Sequence, residues 1–309
     1  MHKRGASADG IANIAMDGTV LDTWYPHPTL AEPEQSTTVR LGAQDLTPKM
    51  LSLVRLDEDR MVEQVAVRTD IRDLSEPPSN AHDVYLRLHL LSHRLIRPHE
   101  LNMDGCLDIL ATVVWTNKGP CLTENFEIVR TSLRSRGLIH VYCVDRLPRM
   151  VDYVVPSGVR IAEAERVRLG AYLAPGTQVL REGFVSFNSG TLGPAKIEGR
   201  LSSGVVVSEG STVGLSSVLK SDTGDGGVRR PMSIGRNCRI GVSSGLLGLS
   251  VGDNFAVSHN LIITPETLLY FPEDDTLAPA ARIAGQDNWH VTVEPRQREP
   301  VARQVQPVL

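Results

Sequence analysis

The chain has few cysteines, no long apolar run and little excess charge. Its four cysteines, Cys106, Cys121, Cys143 and Cys238, stand far apart among 309 residues with no paired spacing. The sequence therefore offers neither a zinc motif nor a small disulfide framework, and a reducing cytoplasm is the simplest expected home. A net charge of -4 gives no general attraction to nucleic acid or to an anionic membrane surface, so neither is expected as a partner. No apolar run is long enough to span a bilayer, and the opening Met-His-Lys-Arg is not followed by the apolar core of a secretory signal, so export is not expected. What is present, 41% hydrophobic and 22% charged residues, suffices to bury a sizeable core in two or three structural units.

The strongest pattern is a hydrophobic beat at every sixth position in the C-terminal half. It falls at Val167, Leu173, Val179 and Val185, at Leu201, Val207, Val213 and Leu219, at Ile234 and Ile240, and at Val251, Val257 and Ile263. A helix repeats near 3.6 and a half-buried strand near 2. Six fits a hexapeptide solenoid, in which each short strand sends one aliphatic side chain to the axis before a turn. Gly170, Gly176, Gly210, Asn237 and Asn254 lie three residues after a beat, where a tight corner needs left-handed backbone. Gly214, Gly235, Gly241 and Gly252 follow a beat directly, where a larger side chain would crowd the corner. Residues 186–200 and 220–233 interrupt the beat, and both stretches are expected to loop outward.

The fold expected is mainly β: an N-terminal α/β domain over 1–150, a parallel β-helix over 151–266, and a short C-terminal extension over 267–309. The end of that extension is rich in Pro, Arg and Gln and is expected to be disordered. Within the first domain, alternation over 61–67 and 138–144 predicts strands, and the pattern over 83–96 predicts a helix capped by Asp83 and stopped by Pro98. His89 and His93 share one face of that helix. Without a zincin glutamate they read as packing residues rather than metal ligands.

The run Val151-Asp-Tyr-Val-Val-Pro-Ser-Gly-Val-Arg-Ile161, the string Glu182-Gly-Phe-Val-Ser-Phe-Asn-Ser-Gly-Thr-Leu-Gly193 and Ile197-Glu-Gly-Arg200 resemble the actinobacterial tetrahydrodipicolinate N-succinyltransferases. The resemblance extends upstream to Tyr85-Leu-Arg-Leu-His-Leu-Leu-Ser-His93 and covers roughly residues 80 to 265. It implies a left-handed β-helix, an exception to the right-handed crossover rule, assembled as a homotrimer with sites between subunits. It also implies transfer of a succinyl group from succinyl-CoA to an acyclic amine derived from tetrahydrodipicolinate, in lysine and diaminopimelate synthesis. Glu198 occupies the position of the family's catalytic glutamate, suited either to manage the amine's proton or to accept the acyl group as an anhydride. Arg200, Gly214, Leu215, Val218, Val242, Ser258 and His259 fall at acyl-donor or substrate positions. Glu165 and Glu182 fall at positions that bind Mg2+ near the trimer axis.

The chain departs from the family where the donor is held. Leu215 and Val218 replace glycine and serine, Ser258 and His259 replace a Glu-Ala pair, and a basic string near the C-terminus has no counterpart in residues 288–295. Two compensations are open: Lys220, Arg229, Arg230, Arg236 and Arg239 could grip a phosphorylated cofactor or be a solvated loop, and His259 could serve as a base. Besides succinyl transfer, the sequence is compatible with another acyl donor or amine acceptor, and with a catalytically silent binding subunit.

Overall fold

The six-residue beat builds three parallel sheets. In the computed structural model, which describes residues 4–224 and 229–306, all thirteen beat residues are at most 4% exposed and form one continuous aliphatic axis. Each such side chain contributes roughly 1.5–3 kcal/mol by leaving water. The chain divides into two units, residues 1–155 and 156–309.

In the second unit, one sheet stacks Arg160–Ile161, Gln178–Val179, Lys196–Ile197, Thr212–Val213, Arg239–Ile240 and Ala256–Val257. A second stacks Ala171–Leu173, Ser189–Thr191, Val205–Val207 and Met232–Ile234, and a third runs from Phe184–Val185 to Ile262–Ile263. Visiting the three in turn makes a parallel β-helix. The five predicted corner residues all take positive φ, from 55° at Asn237 to 92° at Gly170. The four glycines beside the beats are crowded as expected: a Cβ on Gly241 would stand 2.6 Å from the Ser258 carbonyl carbon.

The coils differ in length. Val179 pairs with Ile197, eighteen positions on, but Val185 pairs with Leu201, sixteen on. Residues 186–200 therefore do not loop outward; they are a coil two residues short. Thr191 takes an inward beat position, and its hydroxyl is satisfied at 2.6 Å by Thr177 Oγ1. The contraction falls at the corner Glu198-Gly199, between the inward Ile197 and Leu201. The second interruption does lengthen its coil: Leu219 pairs with Leu246, twenty-seven positions on. Residues 225–228 of that stretch lie outside the described residues.

The C-terminal extension is folded through most of its length. Leu268–Phe271 and Thr276–Pro279 form an antiparallel hairpin. Trp289–Thr292 then returns as a parallel rung on Ala256–Val257. Val301–Gln304, in the stretch expected to be disordered, pairs antiparallel with that rung because Val301 and Ala302 are buried there. Residues 307–309 lie outside the described residues.

The first unit carries a six-stranded antiparallel sheet centred on Gly5–Ala15 and Val62–Ile71, a three-stranded antiparallel sheet that includes Val141–Asp145, and the helix Ala81–Ser92. The cap of that helix is Asn80 rather than Asp83: Asn80 Oδ1 accepts the Asp83 amide at 3.0 Å, and Asp83 instead pairs with the buried Arg87 at 2.7 Å. The helix ends before residue 96, where Arg94 turns to φ 63°. His89 donates from Nδ1 to Tyr85 O and accepts the Tyr25 amide at Nε2, so both ring nitrogens are consumed by backbone groups. It is a packing residue. No described helix is long and apolar enough to cross a membrane.

Burial holds His89 neutral, with its pKa lowered to about 3, and burial followed by the nearby Arg40 charge lowers His82 to about 4. The unfolded chain binds protons at these two sites below about pH 6.5, and the native chain does not. Native stability is therefore expected to fall as pH drops from about 6.5, by on the order of 2 kcal/mol per histidine at pH 5. Buried Asp22, whose pKa is raised by desolvation, opposes this at lower pH. The urea midpoint should be lower at pH 5 than at pH 7.5, and His82→Asn should shrink the difference. An unchanged midpoint would contradict this account.

Candidate active site

The stacking that makes the coil also makes a groove. Ile197, Val213, Ile240, Val257 and Val291 lie in register on successive rungs, so the residues that flank them form two outward columns. Before the beat stand Lys196, Thr212, Arg239, Ala256 and His290; after it stand Glu198, Gly214, Gly241, Ser258 and Thr292. Gly214 and Gly241 must be glycine to let the rungs stack, and their missing side chains leave an open floor. Glu198 and Ser258, three rungs apart, bound a trough about 14 Å long at the usual strand spacing. The groove encloses about 530 Å³ and is lined by both columns, except Lys196, and by the corner residues Leu215, Val242 and His259.

Glu198 is fixed by its backbone. Its amide donates to Val213 O at 2.8 Å, and the Arg200 amide donates to Ser217 O at 2.7 Å. Gly199 between them has no room for a Cβ, which would lie 2.3 Å from Ser217 Oγ. The Glu198 side chain is 26% exposed, and Lys196 Nζ sits 2.6 Å from its Oε1. Oε2 is left as the oxygen with no partner among the described residues. His259 accepts the Val242 amide at Nδ1 over 2.8 Å. In the neutral ring Nε2 therefore carries the proton and is a hydrogen-bond donor on a residue that lines the groove.

Six of the expected substrate-site residues thus converge on one groove: Glu198, Gly214, Leu215, Val242, Ser258 and His259. Arg200 and Val218 do not line it. They are register partners on the adjoining sheet, where the Arg200 guanidinium lies 4.2 Å from the centre of the Phe184 ring. Glu165 sits in the single turn Ala164–Arg166; Glu182 is 3.6 Å from Arg166, and Glu163 pairs with Arg166 at 3.3 Å and with Arg181 at 3.1 Å. Of the basic cluster, Arg236 is paired with Asp253 at 2.7 Å and Arg230 with Asp222 at 4.0 Å, and Arg239 alone lines the groove. His290 and Thr292 were not apparent from the sequence, because the return strand brings them onto the sheet without a preceding beat.

The six-residue beat and the groove along one edge define a hexapeptide-repeat β-helix with a carboxylate at the end of an open trough. Residues 231–265 match the hexapeptide repeat of succinyl-transferase, and residues 110–149 match the tetrahydrodipicolinate N-succinyltransferase middle region. A 2,3,4,5-tetrahydropyridine-2,6-dicarboxylate N-succinyltransferase of Salinispora tropica is 48% identical over 206 residues, covering 65% of this chain and 64% of the relative. One of the same name from Pseudomonas paraeruginosa is 44% identical over 214 residues, covering 68% and 62%. The chain thus matches a little under two thirds of the length of these relatives. A Campylobacter jejuni crystal structure carrying the name 2,3,4,5-tetrahydropyridine-2-carboxylate N-succinyltransferase superposes with a TM-score of 0.81 at 20% identity, over 96% of this chain and 91% of that one, and so shares the fold. Two stretches of the chain thus match family models of succinyltransferases, and the relatives at 44–48% identity carry the tetrahydrodipicolinate N-succinyltransferase activity in their names, so the chain is similar to that family over part of its length.

Proposed function

We propose that this chain is a coenzyme A-dependent N-acyltransferase that moves a succinyl group from succinyl-CoA to the acyclic amine derived from tetrahydrodipicolinate, in cytoplasmic lysine and diaminopimelate synthesis. The observation that carries the reading is Glu198: a half-buried carboxylate at a contracted corner, one oxygen paired with Lys196, at the end of a glycine-floored groove. The names of both curated relatives support the same reaction.

In this reading the amine nitrogen attacks the thioester carbon, and a C–N bond forms as the C–S bond breaks. The nitrogen's proton passes to Glu198 Oε2, and the departing thiolate recovers it as the thiol. The Nε2–H of His259 supplies a donor for oxygen charge in the groove. The coil is left-handed and assembles as a homotrimer, with neighbouring copies completing the groove. Glu165 and Glu182 are hard oxygen donors that suit Mg2+. Among the described residues no three His, Cys, Asp or Glu gather in one chain, so the ion would be held by these carboxylates from several copies, where it would offset their mutual repulsion.

A second reading, the same transfer with another acyl donor, is favoured by one feature. Leu215 and Val242 stand 39% exposed on the rim, where apolar bulk narrows the entrance. The test is thiol release from succinyl-CoA and from acetyl-CoA with tetrahydrodipicolinate as acceptor. Succinyl-CoA should be turned over at least tenfold more efficiently. The reverse preference moves the assignment to the second reading, and no release from either donor overturns both.

A further inference from the structure

We infer that Arg239 and His290, standing on either side of Ala256, form an oxyanion-binding subsite in the groove beyond Glu198. The inference rests on reading the groove as the acyl-transfer site, and it assigns that site an anionic substrate group. Arg239 is in register with Ala256, and Ala256 with His290. At the usual strand spacing the two basic residues are rooted about 10 Å apart, with only a methyl group between them. A carboxylate or phosphate placed over Ala256 would meet a guanidinium fork on one side and an imidazole donor on the other. Ser258 and Thr292, in the neighbouring column on the rungs of Ala256 and His290, add hydroxyls, and His259 lines the same groove with Nε2 as its donor nitrogen.

Among the described residues neither Arg239 nor His290 has a side-chain hydrogen bond or ion pair. Arg236, three residues away, is engaged twice by Asp253, at 2.9 and 2.7 Å. The charge of Arg236 is thus used within the fold, and that of Arg239 is presented to the groove. Glu198 lies two rungs from Arg239 and four from His290, about 10 and 19 Å along the stack. Polarity thus runs from an acid at one end to two basic groups at the other. That suits an elongated substrate with its reacting centre at Glu198 and its anion at the far end. The shared chemistry is an oxyanion, borne either by the phosphates of the donor or by a carboxylate of the acceptor.

Calorimetric titration of the full-length protein with coenzyme A, pantetheine and pimelate separates these sources. Pantetheine carries the donor's arm without its phosphates, and pimelate is a dicarboxylate. Arg239→Gln and His290→Gln should each weaken binding of at least one anionic probe by about tenfold or more, while pantetheine binding stays within twofold. Loss confined to coenzyme A assigns the notch to donor phosphate; loss confined to pimelate assigns it to acceptor carboxylate. The inference is overturned if neither variant weakens either anion more than twofold, if pantetheine weakens in parallel, or if the unmodified protein binds no probe. Thiol-release assays on the same variants keep the two claims apart. Anion binding through the notch without acyl transfer sinks the transferase reading alone, and a working transferase whose KM ignores both substitutions sinks the subsite alone.

Discussion

Glu198→Gln is expected to lower the turnover of acyl transfer by about 10²–10⁴-fold, the usual worth of a positioned proton acceptor. Glutamine keeps the shape of the side chain and an oxygen for Lys196, whose ammonium lies 2.6 Å from Oε1. It cannot take the amine's proton. The backbone bonds that fix the corner, from the amides of residues 198 and 200 to Val213 O and Ser217 O, do not involve the side chain. Thermal stability should therefore change little, and the loss should appear in kcat with KM nearly constant, the signature of an interaction made only in the transition state. Lys196→Met tests the partner: the carboxylate remains, so the loss should be smaller than that of Glu198→Gln. A Glu198→Gln enzyme within threefold of the parent would remove this side chain from the chemistry.

The axis of the solenoid was legible because burial is enforced at every rung. A residue that must point inward every sixth position cannot be polar without a partner, so the aliphatic beat survives in the sequence. Where it lapses at Thr191, the reason is local: a buried hydroxyl met by Thr177 Oγ1 replaces the methyl contacts, so a contracted coil has the sequence pattern of a protruding loop. The helix cap was misplaced by three residues because Asn80 and Asp83 are both capable acceptors, and only the buried pair of Asp83 with Arg87 decides between them.

The groove was only half legible. Glu198 could be singled out by its motif, and the floor glycines by their spacing, but Arg200, expected beside it at the substrate site, is turned onto the next sheet by the contracted corner. Lys196, one rung position before the beat, takes its place. Arg239 and His290 meet through a register that skips the hairpin Leu268–Phe271 and Thr276–Pro279, so no fixed sequence interval announces them. Departures such as Leu215 and His259 were visible as departures. Their consequence required the geometry: one adds apolar bulk at the rim, the other a donor held in one tautomer by the Val242 amide.

Gly190→Ala is expected to cost the β-helix about 3–5 kcal/mol, combining backbone strain with overpacking. Gly190 holds φ at 151°, outside the range an alanine accepts easily, and an added Cβ would lie 1.8 Å from Tyr172 O. That oxygen cannot step aside. Tyr172 and Gly190 are register partners in the same parallel sheet, and Gly190 is in turn paired with Val206 on the next rung. Relief would require prying apart coils whose stability depends on contact with their neighbours. Gly285→Ala supplies the comparison, since its φ of 67° is also unfavourable to alanine but no atom lies within 4 Å of the added Cβ. It should cost only about 1 kcal/mol. Denaturant unfolding of both variants isolates the steric part: the gap between their midpoints reports how tightly the rungs are stacked. Equal midpoints would mean that the coils can separate at little cost, and a corner held by such stacking could not keep Glu198 in place.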